Sequence, residues 1–128
     1  MKQLLSAGII SVSAVTLASC SPPEIQISMS RVDGRQVITL IQDWGLIFSN
    51  QKPPCVDRID LRAVDRKGSK PAWRIQTAGS QCLDLGTFTI GVAPSGFREA
   101  VALKPGSRGT YELVVWGIGI GTAQVRLP

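Results

Sequence analysis

The chain has 128 residues, with 14 basic and 9 acidic side chains for a formal charge of +5, which is room for one domain with a modest core and no room for two. It contains no histidine, and so lacks the commonest general base and the commonest metal ligand. The positive excess is mild and spread along the chain, unlike the concentrated charge of a nucleic-acid binder, so no nucleic-acid partner is expected.

Lys2, an apolar run from Leu4 to Leu17 and the tetrad Leu17-Ala18-Ser19-Cys20 stand in that order at the start. A positive beginning, a short greasy segment and a small-residue exit are the parts of a secretory signal peptide. A permanent span needs about 20 consecutive apolar residues; this run is shorter and is diluted by Ser6, Ser11, Ser13 and Thr16. The tetrad resembles the cleavage motif of bacterial lipoprotein precursors, and the resemblance covers Met1 to Cys20. The alternative is a chance cysteine beside an ordinary cleavage site. The resemblance implies that the Cys20 thiol receives a diacylglyceryl group, that a peptidase cuts before it, and that the new amino terminus is often acylated too. At about 0.8 kcal/mol per buried methylene, two or three acyl chains hold a protein on a membrane where a single one lets go.

The expected organisation is a signal peptide over residues 1–19, a lipidated cysteine and short tether over 20–23, and a β-sandwich domain over 24–128. Loss of Lys2 leaves 13 basic against 9 acidic side chains, a charge of +4 on the 109 residues that remain. Ser21, Pro22 and Pro23 form a stiff spacer reaching ~10 Å at about 3.1 Å per residue in a polyproline conformation, which keeps the domain close to the bilayer. In enterobacterial lipoproteins an aspartate after the lipidated cysteine favours retention in the inner membrane. Ser21 stands there instead, which by resemblance points to the periplasmic face of the outer membrane.

From residue 24 onward apolar residues fall on alternate positions. Ile25, Ile27 and Met29 alternate with Gln26, Ser28 and Ser30, and Asp33-Gly34 predicts a hairpin turn into Val37 to Ile41. An apolar run, Leu46 to Phe48, follows Trp44-Gly45. With Cys20 committed to lipid, Cys55 and Cys82 remain, and two thiols in an oxidising envelope are expected to pair; a redox-active pair would want the Cys-x-x-Cys spacing that is absent here. Ile59, Leu61 and Ala63 alternate with Arg58, Asp60 and Arg62. Trp73 and Ile75 oppose Arg74 and Gln76, and Phe88, Ile90 and Val92 oppose Thr87, Thr89 and Gly91. Val114 to Ile118 is apolar on both faces, which suits a central strand or a partner-facing patch. Thr122 to Leu127 reads as a last strand.

Seven or eight short strands punctuated by turn residues predict an all-β fold, an antiparallel two-sheet immunoglobulin-like sandwich, with a small closed barrel as the alternative. Leu103-Lys104-Pro105-Gly106 followed by Tyr111, Leu113 and Val115 resembles the tyrosine corner of immunoglobulin-like and fibronectin type III domains. The gap from Leu103 to Tyr111 is longer than usual there.

Catalysis is not expected from this inventory, and neither a cofactor nor a metal is. Ser49-Asn50-Gln51-Lys52 matches the Ser-x-x-Lys pattern of penicillin-recognising enzymes, but Pro53-Pro54 disfavours the helix that would bring the serine and lysine together. Gly117-Ile118-Gly119-Ile120-Gly121 lacks the following helix that a phosphate loop needs and reads as a hairpin or bulge where two backbones approach closely. Asp57, Asp60 and Asp65 fall between arginines and are expected to balance charge on an exposed face.

Two features could serve a partner. Arg58, Arg62, Arg66, Lys67, Lys70 and Arg74 are expected on the outer face of adjacent strands and their connection, as a solvated face or as a contact for lipid phosphates, lipopolysaccharide or an acidic protein. Trp116 is expected in the core and Trp44 is a second candidate; either becomes a binding residue if exposed. The expected role is non-catalytic binding or scaffolding by a membrane-anchored envelope lipoprotein, with an envelope protein as a possible partner. Alternatives are a component of a secretion or envelope-assembly machine and a periplasmic inhibitor of a hydrolase, for which Asn50 to Pro54 is the nominated loop.

Overall fold

The computed structural model describes residues 21–65 and 70–128. The expected signal segment with Cys20, and Arg66 and Lys67, lie outside the described residues. Among the described residues ten strands follow one another: β1 (Gln26–Val32), β2 (Arg35–Asp43), β3 (Gln51–Lys52), β4 (Cys55–Ala63), β5 (Trp73–Thr77), β6 (Leu83–Asp84), β7 (Thr87–Thr89), β8 (Phe97–Val101), β9 (Gly109–Gly117) and β10 (Gly119–Leu127). They form two antiparallel sheets packed as a sandwich. The surplus over the seven or eight expected strands includes the two-residue pieces β3 and β6, too short to show an alternating pattern.

In the first sheet β2 is flanked by β1, β3 and β7. Asp33 and Gly34 both take positive φ, 52° and 76°, as a two-residue turn matched to strand twist requires. Ile38 and Leu40 of β2 point inward and are buried. β1 departs from the expected alternation: Ile25 is buried, Ile27 packs against the core, and Met29 is exposed. The second sheet meets this strand at its beginning, where the Ile25 N–H donates to the Ile120 carbonyl at 3.0 Å.

The second sheet runs β10-β9-β4-β5-β8, with β6 against the start of β4. Val56, Ile59 and Leu61 of β4 face inward although their spacing is uneven, because a bulge between Val56 and Arg58 inserts one extra residue opposite β9 and resets the alternation. Trp73 and Ile75 of β5 and Tyr111, Leu113 and Val115 of β9 complete this side of the core. The two sheets meet where Trp73 stacks on Phe88, ring centroids 6.1 Å apart, and the buried indole N–H donates to Glu99 Oε2 at 2.8 Å.

Cys55 and Cys82 are disulfide-bonded, with Cα atoms 5.2 Å apart, joining the start of β4 to the β5–β6 connection. The 27-residue separation closes a loop whose restriction in the unfolded chain contributes about 3–4 kcal/mol in the chain-entropy account. Urea unfolding of a Cys55→Ala/Cys82→Ala variant should therefore show stability reduced by about that amount relative to the oxidised protein.

Candidate functional site

The outward residues of the second sheet line up in rows fixed by strand register. One row runs Arg98, Gln76, Arg58, Trp116, Ile120 across β8, β5, β4, β9 and β10; the next runs Val101, Arg74, Asp60, Val114, Thr122. Arg62 stands beside Glu112 in a third. Directly opposed side chains on one face are near enough to interact, so strand spacing and register together gather three arginines around one carboxylate.

That carboxylate, Asp60, is fully buried. This corrects the expectation of an exposed charge-balancing residue: its neighbours Val114 and Arg74 and the flanking arginines cover it. A buried charge is tolerated when paired and hydrogen-bonded. Arg74 supplies this with a two-pronged contact, Nε to Oδ1 and Nη2 to Oδ2, both at 2.8 Å, and Arg62 Nη2 adds a contact to Oδ2 at 3.0 Å. The hydrogen bonds from Arg74 to Asp60 push the arginine's pKa further up, against a smaller opposing effect of burial.

Arg58 is held differently. Its Nε lies 3.8 Å from Asp60 Oδ1, beyond hydrogen-bond range, and the guanidinium sits over the Trp116 ring, 4.0 Å from the centroid. Trp116 is thus neither a core residue nor a free one. It is half-buried on the outer face, as a floor for the arginine, while β9 itself is a central strand with Val114 and Val115 buried. Around Arg58 and Trp116, with Asp57, Gln76 and Gly79, lies a shallow depression of about 430 Å³. The four guanidiniums of Arg58, Arg62, Arg74 and Arg98 outnumber by one the carboxylates beside them, Asp60, Glu112 next to Arg62, and Asp57 in the depression. Of the other expected basic residues, Lys70 is exposed in the connection leading to β5.

A second locus lies at the pole where β2 ends. The Gln42 side chain is buried and its amide donates to the Pro23 carbonyl at 2.8 Å and the Ile118 carbonyl at 2.7 Å, so the entering chain, β2 and the β9–β10 turn are fixed together. The glycines of that turn permit the approach, as expected: Gly119 takes φ of 98°, and a Cβ there would collide with the Pro23 carbonyl.

The next residue, Asp43, clips the loop that follows. Its Oδ1 accepts from the backbone N–H groups of Asn50 at 2.8 Å and Gly45 at 3.0 Å, its Oδ2 accepts from the Ser49 hydroxyl at 3.0 Å, and the Trp44 N–H donates to the Asn50 carbonyl. These bonds, that from Asn50 foremost, hold the Asp43 carboxyl below its ordinary pKa. At Gly45 a Cβ would collide with the Phe48 carbonyl, so this tight turn needs glycine. The result corrects one expectation: the loop nominated at Asn50 to Pro54 contains β3 and the buried Pro54, while the apolar run Leu46 to Phe48 is the tip of a projecting loop. Ser49 is in the loop and Lys52 in a strand, the serine's hydroxyl being committed to Asp43.

Comparison of the chain with protein-family models, with curated proteins and with solved structures returns no match.

Two outcomes are expected of these geometries. Asp60→Asn should lower stability by about 2 kcal/mol in urea titration, less than the ~3–5 kcal/mol of a fully buried broken pair, because the arginines retain solvent contact. The lowered Asp43 pKa means the clip is in place above the usual carboxylate value of about 4 and is released as pH falls through the lowered one. Acid titration by NMR should show the Asn50 amide changing with a midpoint below about 4, and Asp43→Ala should raise its hydrogen-exchange rate at neutral pH by about tenfold or more.

Proposed function

We propose that the protein is a lipid-anchored, non-catalytic binding module of the bacterial envelope that holds an acidic surface of an envelope partner against the outer face of its second sheet. The observation that carries the binding half is the Arg58, Arg62 and Arg74 cluster around Asp60, with Arg58 seated on Trp116. A surface arginine ordinarily loses much side-chain freedom on binding. Here the guanidiniums are already placed by a buried carboxylate and an indole face, and they keep a net positive charge directed outward. Carboxylates and phosphates suit such a surface, since arginine meets both with paired hydrogen bonds.

The anchoring half is supported by the Leu17-Ala18-Ser19-Cys20 tetrad and by the short Ser21-Pro22-Pro23 tether, whose last carbonyl is held by Gln42. A domain fixed within about 10 Å of its anchor works at the membrane surface. The periplasmic face of the outer membrane is the proposed location, and a component of an envelope-assembly machine is the form the role takes when the partner is a subunit of such a machine.

The full chain, expressed in a Gram-negative bacterium and recovered from its membranes, should yield on mass spectrometry an N-terminal Cys20 carrying a diacylglyceryl group. An unmodified thiol with the leader retained would refute the anchor. A photoreactive residue replacing Trp116 should crosslink a partner in intact cells, and adding Arg58→Gln, which spares the Arg74 to Asp60 pair, should cut the yield about tenfold. Equal yields with and without Arg58 would refute this binding face.

A further inference from the structure

Leu46, Ile47 and Phe48 stand consecutively at the loop tip, each at least 84% exposed, with Trp44 44% exposed at the loop base. Water-facing clusters of large apolar side chains mark an interaction site, and three features of the surroundings identify what covers this one.

The first is position. Gln42, immediately before the loop's clipping residue, binds the carbonyl of Pro23, so the tether and the loop leave the domain at the same pole. Pro23 stands three positions after Cys20, a reach of about 10 Å. The loop's seven residues, Trp44 to Asn50, rise and return, which gives its tip a projection of about 10 Å at ~3.3 Å per residue. Anchor and tip therefore reach comparable depths.

The second is chemistry. No charged residue lies between Asp43 and Lys52. The tip is aliphatic and aromatic, the indole stands nearer the base, and this order matches the preference of tryptophan for the headgroup level with apolar groups deeper. Ile118 and Ile120, each about half exposed, widen the apolar rim at the same pole. The third is rigidity: the Asp43 clip satisfies the Gly45 and Asn50 N–H groups and fixes the loop base, while shallow insertion keeps the backbone of the tip at the headgroup level, where its polar groups find partners.

We propose that residues 44–48 insert into the phospholipid bilayer beside the acyl chains, so that the protein stands on its membrane at two points. The inference rests on the lipid-anchored reading for the direction in which the bilayer lies. A single flexible tether leaves a domain free to rotate above the surface. A second contact at the loop fixes its orientation and holds the Arg58 and Trp116 face sideways, along the membrane, for a partner. Insertion is shallow, ending at the boundary of headgroups and acyl chains as for interfacial elements generally.

The test uses the full chain, recovered from membranes and reconstituted into phosphatidylethanolamine–phosphatidylglycerol liposomes whose acyl chains are brominated near the headgroup. In a Trp44→Phe background, Trp73 is buried and Trp116 lies under Arg58, so the remaining fluorescence is the baseline. Adding Ile47→Trp places a reporter at the tip. Its emission should be quenched about twofold or more relative to unbrominated liposomes, a result set by short-range contact with the acyl bromines, while the baseline protein stays unquenched. In the otherwise native chain, Leu46→Ser/Phe48→Ser should abolish quenching of Trp44. An unquenched tip reporter in a folded, oxidised, lipidated protein overturns the insertion and leaves the anchor standing, whatever protein the loop is then found to touch. Quenching of a chain shown to carry no lipid on Cys20 overturns the anchor and supports the insertion.

Discussion

One buried amide joins the parts of this domain that matter for its orientation. The side chain of Gln42 has two N–H donors and places both on backbone carbonyls, Pro23 of the entering chain and Ile118 of the β9–β10 turn. β2 belongs to the first sheet and β9 and β10 to the second, so the amide bridges the two layers. Removing it would cost about 0.5–1.5 kcal/mol for each of the two part-buried hydrogen bonds lost. It would also free the position of the tether relative to the loop that begins at Asp43. Everything proposed about that pole assumes the frame that Gln42 builds.

The other organised region depends on register. Asp60 and Arg74 meet because β4 and β5 pair with those residues opposed, and Arg58 meets Trp116 because β4 and β9 do likewise after the bulge. Arg58 and Arg62 flank Asp60 two positions away on the same strand, whereas Arg74 reaches it only through the pairing of β4 with β5. This face lies along the side of the sandwich, whereas the apolar loop lies at its end. Ile120, next to Trp116 across the β9–β10 pair, borders both.

Much of the architecture was legible in the residues. The alternation in β2, β4 and β5 located inward and outward sides, Asp33-Gly34 marked its turn, and counting cysteines against a presumed lipidation site picked the pair that bonds. The glycines from 117 to 121 read correctly as a close approach of backbones. What escaped was set by distant neighbours. Asp60 sits among outward residues with Arg62 two positions away, but nothing nearby in sequence announces that Arg74 and Val114 will also cover it. Trp116 follows two buried valines and looked like more of the same, yet strand parity turns it outward. Leu46 to Phe48 showed as an apolar run, but that it stands at a loop tip depends on Asp43 bonding Gly45, Ser49 and Asn50. Gln42 did leave a trace: it continues the inward positions of Ile38 and Leu40, and a polar residue on that stripe implies buried partners.

The strand β10 carries a further consequence at Gly121, whose absent side chain leaves space against Ile25, where the incoming chain crosses from one layer to the other. A methyl group there would collide with the Ile25 backbone, lifting the entering segment from its seat. How closely the entering segment seats against β10 is thus governed by one missing carbon.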